Sequence, residues 1–253
     1  MINYKQFIIS SGTYFFRNQL EQVYSMRCVN DIGYDPYEPC FFAGIYNDED
    51  LKRLQNHQGR AYILWLGRDA INKYKVLHVA NLSMDVKFLA ISKFIEDQFK
   101  ALEIPYYRIP NIAFTDYTFW EPCVLGNKIY CYAPTEHYKL SWMDQIKEYG
   151  YDVIVVKSAR QHNRESLKEL YKECFLGLRL TDFDGNSATV MELGLMGRRS
   201  IFNGDNINAI NWKNRYELKD LIDKEAERIG TDQTELAESV FDLVTKTTDG
   251  WDW

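Results

Sequence analysis

Short apolar runs alternate along the chain with stretches in which apolar residues recur every three to four positions, the pattern of strands alternating with helices around a parallel sheet. Residues 7–9 predict a first strand that ends at Ser10, Ser11 and Gly12, and 15–26 the helix after it. Pro36 and Pro39 break the chain before a strand over 40–45. Asp48, Glu49 and Asp50 open a short helix, where acidic residues suit the N-terminal dipole, and Gly59 stops it. The apolar run 61–66 is the clearest strand of the first half; 76–80 and 87–91 predict two more, and 94–102 an amphipathic helix with Phe94, Ile95, Phe99 and Leu102 on one face.

Pro105, Pro110 and Pro122 punctuate residues 103–126, and a linker is expected over 113–127. The alternation then restarts. Strands are expected at 128–132, 152–156 (buried), 175–180 and 200–202. Helices are expected at 140–148, 164–174 and 187–196, with two more near 216–229 and 232–245. There is no internal sequence repeat, yet both halves share one architecture. The expected fold class is α/β: two Rossmann-like, doubly wound domains facing a cleft, over 1–112 and 128–230, with C-terminal helices from 231 packing back toward the first.

Composition narrows the class. The 253 residues are 46% hydrophobic and 26% charged, with 14 Gly and 6 Pro, which excludes collagen-like and largely disordered chains. No stretch approaches the ~18 consecutive apolar residues of a membrane span, and residues 1–6 lack the basic start and apolar core of a signal peptide. Five widely spaced cysteines without a CxxC indicate neither a disulfide framework nor a zinc site. A soluble, cytoplasmic protein is the expectation. The net charge of -6 is uneven: -1 over residues 1–125, +2 over 126–216 and -7 over 217–253. No basic stripe suggests nucleic acid as a stable partner, whereas the mildly basic middle suits a small anion.

Candidate chemistry concentrates in residues 175–204. A strand runs into a loop holding Asp182, Asp184 and Gly185, then a helix capped by Asn186 or Ser187 and ended by Gly197. A helix that starts beyond the carboxyl end of a parallel strand aims unpaired N–H groups at a ligand, which suits phosphate. Glu192, about one and a half turns in, is placed to reach a sugar, and a carboxylate accepts well from vicinal hydroxyls.

This segment resembles the retaining glycosyltransferases of the GT-B fold, particularly family four. Their second domain carries an acidic residue, seven spacers and a Glu, then a small residue and Gly at the helix end; Asp184 and Glu192 match the spacing, with Asp replacing the usual first Glu. The resemblance implies that Asp184 orients the donor sugar and Glu192 holds the ribose. Gly185, Asn186, Ser187, Ala188 and Thr189 would then supply donors to the diphosphate. Trp65, Gly67 and Asp69 resemble the strand-end loop on the family's acceptor side, with Asp69 as an acid or base and Trp65 as a sugar-stacking ring. Gly12 offers a second close approach. The family's usual Gly-Arg…Lys phosphate clamp has no clear match in the sequence. Lys139 is the nearest substitute, and Arg160, Lys157 and Arg179 are other cationic candidates.

The resemblance implies a metal-independent enzyme without a cofactor. It would move a sugar from a nucleotide-diphosphate sugar to a glycan, lipid-linked or small-molecule acceptor. Three rivals remain: a nucleotide-sugar epimerase or phosphorylase of the same fold, a non-catalytic nucleotide-binding module, and a metal-dependent transferase in which Asp182 and Asp184 form an Asp-x-Asp site. Arg179 is expected either to pair with an acid such as Asp182 or to lie at the cleft edge. Arg198 and Arg199 read as cations complementing a helix end, His78 as a packed strand histidine, and His137 and His162 as loop residues within reach of ligand.

Overall fold

The computed structural model describes residues 6–24, 27–30, 33–109, 115–158, 162–182 and 184–246. The chain divides into two compact units, one formed by Met1–Asp116, Asp184–Asn186 and Val244–Trp253, the other by Tyr117–Phe183 and Ser187–Leu243. Each is built on an all-parallel five-stranded sheet with helices in its connections.

The first sheet runs in the order β1 (Gln6–Ile9), β2 (Cys40–Ala43), β3 (Ala61–Trp65), β4 (Val86–Ala90), β5 (Tyr106–Arg108). β1 to β3 are buried along their whole length, which explains why they read as unbroken apolar runs rather than as an alternation. Residues 27–29 add a further parallel segment on the free edge of β1. The Phe7 N–H donates to the Arg27 carbonyl and the Val29 N–H to the Phe7 carbonyl, each at 2.9 Å. The chain therefore moves outward from β1 and then crosses back for β2, so this sheet is doubly wound as expected. Asn30 extends the pairing with its side chain, accepting from Ile9 N–H at 2.9 Å and donating to the Ile9 carbonyl at 2.6 Å.

Local chemistry sets the helices of this unit. A 3-10 turn over Ser11–Phe16 leads into α1 (Arg17–Tyr24). Asn47 and Asp50 form a reciprocal capping box at the start of α2 (Asp48–Gln55). Asp50 also accepts the Ser10 hydroxyl at 2.6 Å, tying the end of β1 to the first turn of α2. Short α3 (Arg68–Ile71) follows β3 directly. Ser92 caps α5 (Lys93–Ala101), which buries Ile95 and Phe99 one turn apart.

Two expectations for this half are corrected. Residues 76–80 are no strand: they lie in α4 (Lys73–Ala80), started by the Asn72 side chain accepting from Lys75 N–H, with Val76 and Val79 buried on one face. His78 is consequently an exposed helix residue, 2.8 Å from the Gln55 amide, not a packed strand histidine. Within the Pro-punctuated stretch, residues 106–108 form β5, whose Tyr106 pairs with Phe88; residues 110–114 fall outside the described residues.

The second sheet runs β10 (Ala209–Ile210), β9 (Arg199–Phe202), β8 (Cys174–Arg179), β6 (Lys128–Tyr132), β7 (Val153–Val156). It reverses in the same way, passing from β6 out to β7 and back across β6 to β8. β7 is an edge strand and only half-buried, where a buried strand was expected. Ile129, Cys131, Leu176, Leu178 and Ile201 form the core of this sheet with Met143 and Ile146 of α6 (Met143–Glu148) and Leu218 and Ile222 of α9 (Leu218–Ala226). Burial of each such aliphatic side chain contributes about 1.5–3 kcal/mol. α7 (Arg164–Lys172) connects β7 to β8, α8 (Ala188–Leu195) follows β8, and α10 (Thr234–Lys246) ends the described chain.

Among the described residues no helix is long and apolar enough to cross a membrane. None of the five cysteines, all among the described residues, forms a disulfide.

Candidate functional site

The reversal between β6 and β8 marks where a ligand is expected on the second sheet, because neighbouring crossovers depart to opposite sides and leave a crevice beyond the strands' carboxyl ends. Two loops border it, 133–139 after β6 and 180–187 after β8.

Arg179, the last residue of β8, is half-buried there. Its guanidinium lies 5.2 Å from the ring centroid of Tyr132, the last residue of β6, and 4.8 Å from that of Tyr138, and it donates to the Tyr138 hydroxyl oxygen at 3.5 Å. Stacked aromatic faces hold a guanidinium in place without neutralising it. Asp182, the acid named as a partner for Arg179, pairs with Lys139, Nζ to Oδ2 at 2.7 Å. Lys139, at φ 53° and ψ 44°, thus has its charge matched by an acid from the neighbouring loop. Thr181, buried, lies 3.0 Å from Nε2 of His137 and links the same two loops.

The helix after β8 begins as expected. Ser187, not Asn186, is the cap: its hydroxyl accepts from Val190 N–H. The first N–H groups of a helix have no helical acceptor, and here they belong to Ala188 and Thr189, both half-buried. Gly197, at φ 87°, closes the other end in a left-handed turn. Its N–H donates to the Gly194 carbonyl at 2.9 Å, and the Arg198 N–H donates to Leu193 at 2.8 Å. Glu192 is half-buried on this helix and accepts the Tyr171 hydroxyl on Oε2 at 2.9 Å.

Asp184, Gly185 and Asn186 group with the first unit, whereas Ser187, Ala188, Thr189 and Glu192 belong to the second. The Asp184 carboxylate accepts the Gly185 N–H at 2.8 Å. A Cβ at Gly185 would meet the Leu66 carbonyl oxygen at 1.9 Å, so backbone packing already requires glycine there. Phe183 and Arg160 lie outside the described residues, and Lys157 is exposed. Among the described residues no group of three His, Cys, Asp or Glu side chains is placed to hold a metal ion.

The candidates of the first unit take structural places. Trp65 is fully buried, stacked on Phe88 with centroids 5.6 Å apart and edge-on to Phe99, so no face of its ring can stack on a sugar. Gly12 lies in the 3-10 turn, where a Cβ would meet only the Tyr46 ring at an ordinary 3.7 Å; the backbone does not require glycine there. Gly67, at φ 145°, starts α3 in a conformation that side chains rarely adopt.

Asp69, expected as an acceptor-side acid or base, is 2% exposed. Its carboxylate accepts backbone N–H groups from Ile45, Leu66, Gly67 and Ala70 at 2.9–3.3 Å and so fixes the loops after β2 and β3. Burial pushes its pKa up to about 6, outweighing the opposing pull of these N–H bonds. The folded state therefore holds a proton that the unfolded chain, with a pKa near ~3.9, has already lost. Stability from this group is full below about pH 4 and is lost as pH rises through about 6, on the order of 2–3 kcal/mol in all. In urea unfolding at pH 4.5 and 7.5, Asp69→Asn should be less stable than the wild type at both values. The difference between the two proteins should shrink as pH rises; a pH-independent difference would refute this.

No protein-family model matches the chain, and no curated protein matches it in sequence. Among solved structures it is similar to sucrose-phosphate synthase from Thermosynechococcus elongatus, with a TM-score of 0.56 over 96% of this chain and 97% of that one, at 8% sequence identity. At that identity the likeness shows the fold alone: α/β, with two parallel-strand sheets flanked by helices, consistent with a GT-B-like Rossmann fold.

Proposed function

We propose that the protein is a retaining glycosyltransferase that transfers a sugar from a nucleotide-diphosphate sugar and needs no metal to do so. The observation that carries this reading is the grouping, at the reversal of the second sheet, of a capped helix N-terminus, a half-buried guanidinium and a carboxylate one turn further along. Support also comes from the fold shared with a sucrose-phosphate synthase and from the Asp184 to Glu192 spacing.

The diphosphate lies against the first N–H groups of α8, and Arg179 faces its charge. Glu192 accepts the ribose hydroxyls. Asp184, on its spacing, orients the transferred sugar. As the anomeric carbon gains oxocarbenium character, charge builds on the departing phosphate, and fixed N–H dipoles and a guanidinium stabilise it without rearranging. The acceptor hydroxyl attacks from the face that the phosphate leaves, and the phosphate oxygen takes its proton, so configuration is retained and no protein nucleophile is required.

The test is binding and turnover followed by NMR with a panel of UDP-, GDP-, ADP- and CDP-sugars, with and without chelator. One nucleotide class should bind, with chelator-insensitive release of the diphosphate. Glu192→Ala should weaken that binding about 10- to 100-fold, as loss of hydrogen bonds to a charged group predicts. If no donor binds, the reading fails. Conversion of the donor alone to an epimer would instead identify an epimerase, and loss of turnover in chelator would restore the Asp182 and Asp184 metal reading.

A further inference from the structure

A chain of phenols stands behind Glu192. Tyr171, on α7, is 1% exposed, and its hydroxyl is the donor to Glu192 Oε2. Tyr130, on β6, is 2% exposed and packs edge-on against Tyr171, ring centroids 4.8 Å apart. Three elements of one unit, β6, α7 and α8, thereby meet through a ring contact and one hydrogen bond whose acceptor is a half-buried carboxylate. Burial raises the pKa of both phenols well above the ordinary value, so both remain protonated donors throughout the working range.

A glutamate on a helix normally samples several rotamers, and fixing one costs up to about 1.5–2 kcal/mol. Where the carboxylate must meet two adjacent hydroxyls, that cost falls on ligand binding unless the protein has already fixed it. A buried phenol is suited to do so: its ring is packed, its one donor points in one direction, and its acceptor is charged. A buried Tyr whose hydroxyl merely needed an acceptor would be equally satisfied by a backbone carbonyl. Here it reaches 21 residues along the chain to a side chain on a different helix.

We propose that Tyr171, backed by Tyr130, is the positioning residue for Glu192, and that the carboxylate so fixed makes the site select ribonucleotides over 2′-deoxyribonucleotides. This rests on the glycosyltransferase reading, specifically on Glu192 facing the ribose.

The experiment is calorimetric titration of the intact protein with UDP, GDP, ADP and CDP and with their 2′-deoxy counterparts, for the wild type and for Glu192→Ala, Tyr171→Phe and Tyr130→Leu. The wild type should prefer the ribonucleotide of its class by about 10-fold or more. Glu192→Ala should bring that ratio close to one. Tyr171→Phe, which conserves core volume, should cut the ratio by about 3- to 10-fold while leaving affinity for the deoxynucleotide unchanged. Tyr130→Leu, which removes the ring packed edge-on against Tyr171, should give a smaller cut in the same direction, and stands as the second reading if Tyr171→Phe does not fold. A purely structural phenol would shift the unfolding midpoint without moving the ratio. If Glu192→Ala loses the preference and the two tyrosine variants keep it, the positioning role is overturned while the donor site stands. If the wild type shows no preference although Glu192→Ala weakens binding, the selectivity is overturned. Should Glu192→Ala bind every nucleotide as the wild type does, the underlying assignment of Glu192 fails instead.

Discussion

Arg179→Ala is expected to lower donor turnover by about 100- to 1000-fold, the range seen when a fixed group facing developing charge is removed. The guanidinium stands at the carboxyl end of β8, packed on the Tyr132 and Tyr138 rings, and reaches the Tyr138 oxygen at 3.5 Å. Such a cation is already oriented when the phosphate begins to leave, so most of its effect should appear in kcat rather than KM. Arg179→Lys should recover only part of the loss, because an ammonium keeps the charge but not the planar stacking or the forked donors. Steady-state kinetics on the donor found by the nucleotide panel would decide it. Turnover within threefold of wild type in Arg179→Ala would move the role to Lys139, whose ammonium is paired with Asp182.

Arg198→Leu is expected to cost at least about 3 kcal/mol of stability, enough to lower the thermal midpoint by on the order of 10 °C. Arg198 is fully buried and, among the described residues, makes no ion pair with a carboxylate. Its Nε donates to the carbonyls of Tyr171 and Cys174 at 3.1 Å. Nη1 donates to Cys123 at 2.9 Å and to Met196, and Nη2 to Val124 at 2.9 Å and to Lys172. These acceptors include the last carbonyls of α7, so the positive charge also sits where the helix dipole favours it. A leucine would fill part of the volume and leave buried carbonyls without donors, each costing about 1–3 kcal/mol. Arg198→Lys should fall between the two, having charge without the fork. Urea unfolding followed by tryptophan fluorescence is the measurement, and a loss below 1 kcal/mol for Arg198→Leu would contradict it.

Some of this organisation was legible one segment at a time. Ser187 opens and Gly197 closes α8 because a cap hydroxyl and a left-handed turn are local requirements that name their own residue types. The apolar runs at 61–66 and 128–132 read as strands because both faces of a parallel sheet are covered. The run at 76–80 misled for the same reason. Five apolar or aromatic-like residues in a row fit a buried strand as well as a helix face, and Asn72 capping at Lys75 decided it. The segment 27–29 has too few residues to announce itself as a strand, and only its pairing with Phe7 identifies it.

The candidate site divides along the same line. Its loops, its capped helix and the spacing from Asp184 to Glu192 are properties of neighbours in the chain, and the sequence by itself determined them, together with the strand-helix alternation. Tertiary structure alone decided which charges meet which partners. Lys139 finds Asp182 across 43 residues and Glu192 finds Tyr171 across 21. Trp65 and Asp69, which read as surface chemistry, are instead closed into the core and the loop backbone. The physical reason is range: backbone geometry and capping act over a few residues, whereas burial and hydrogen-bond partners depend on strand order, and strand order is set by how whole sheets exclude water.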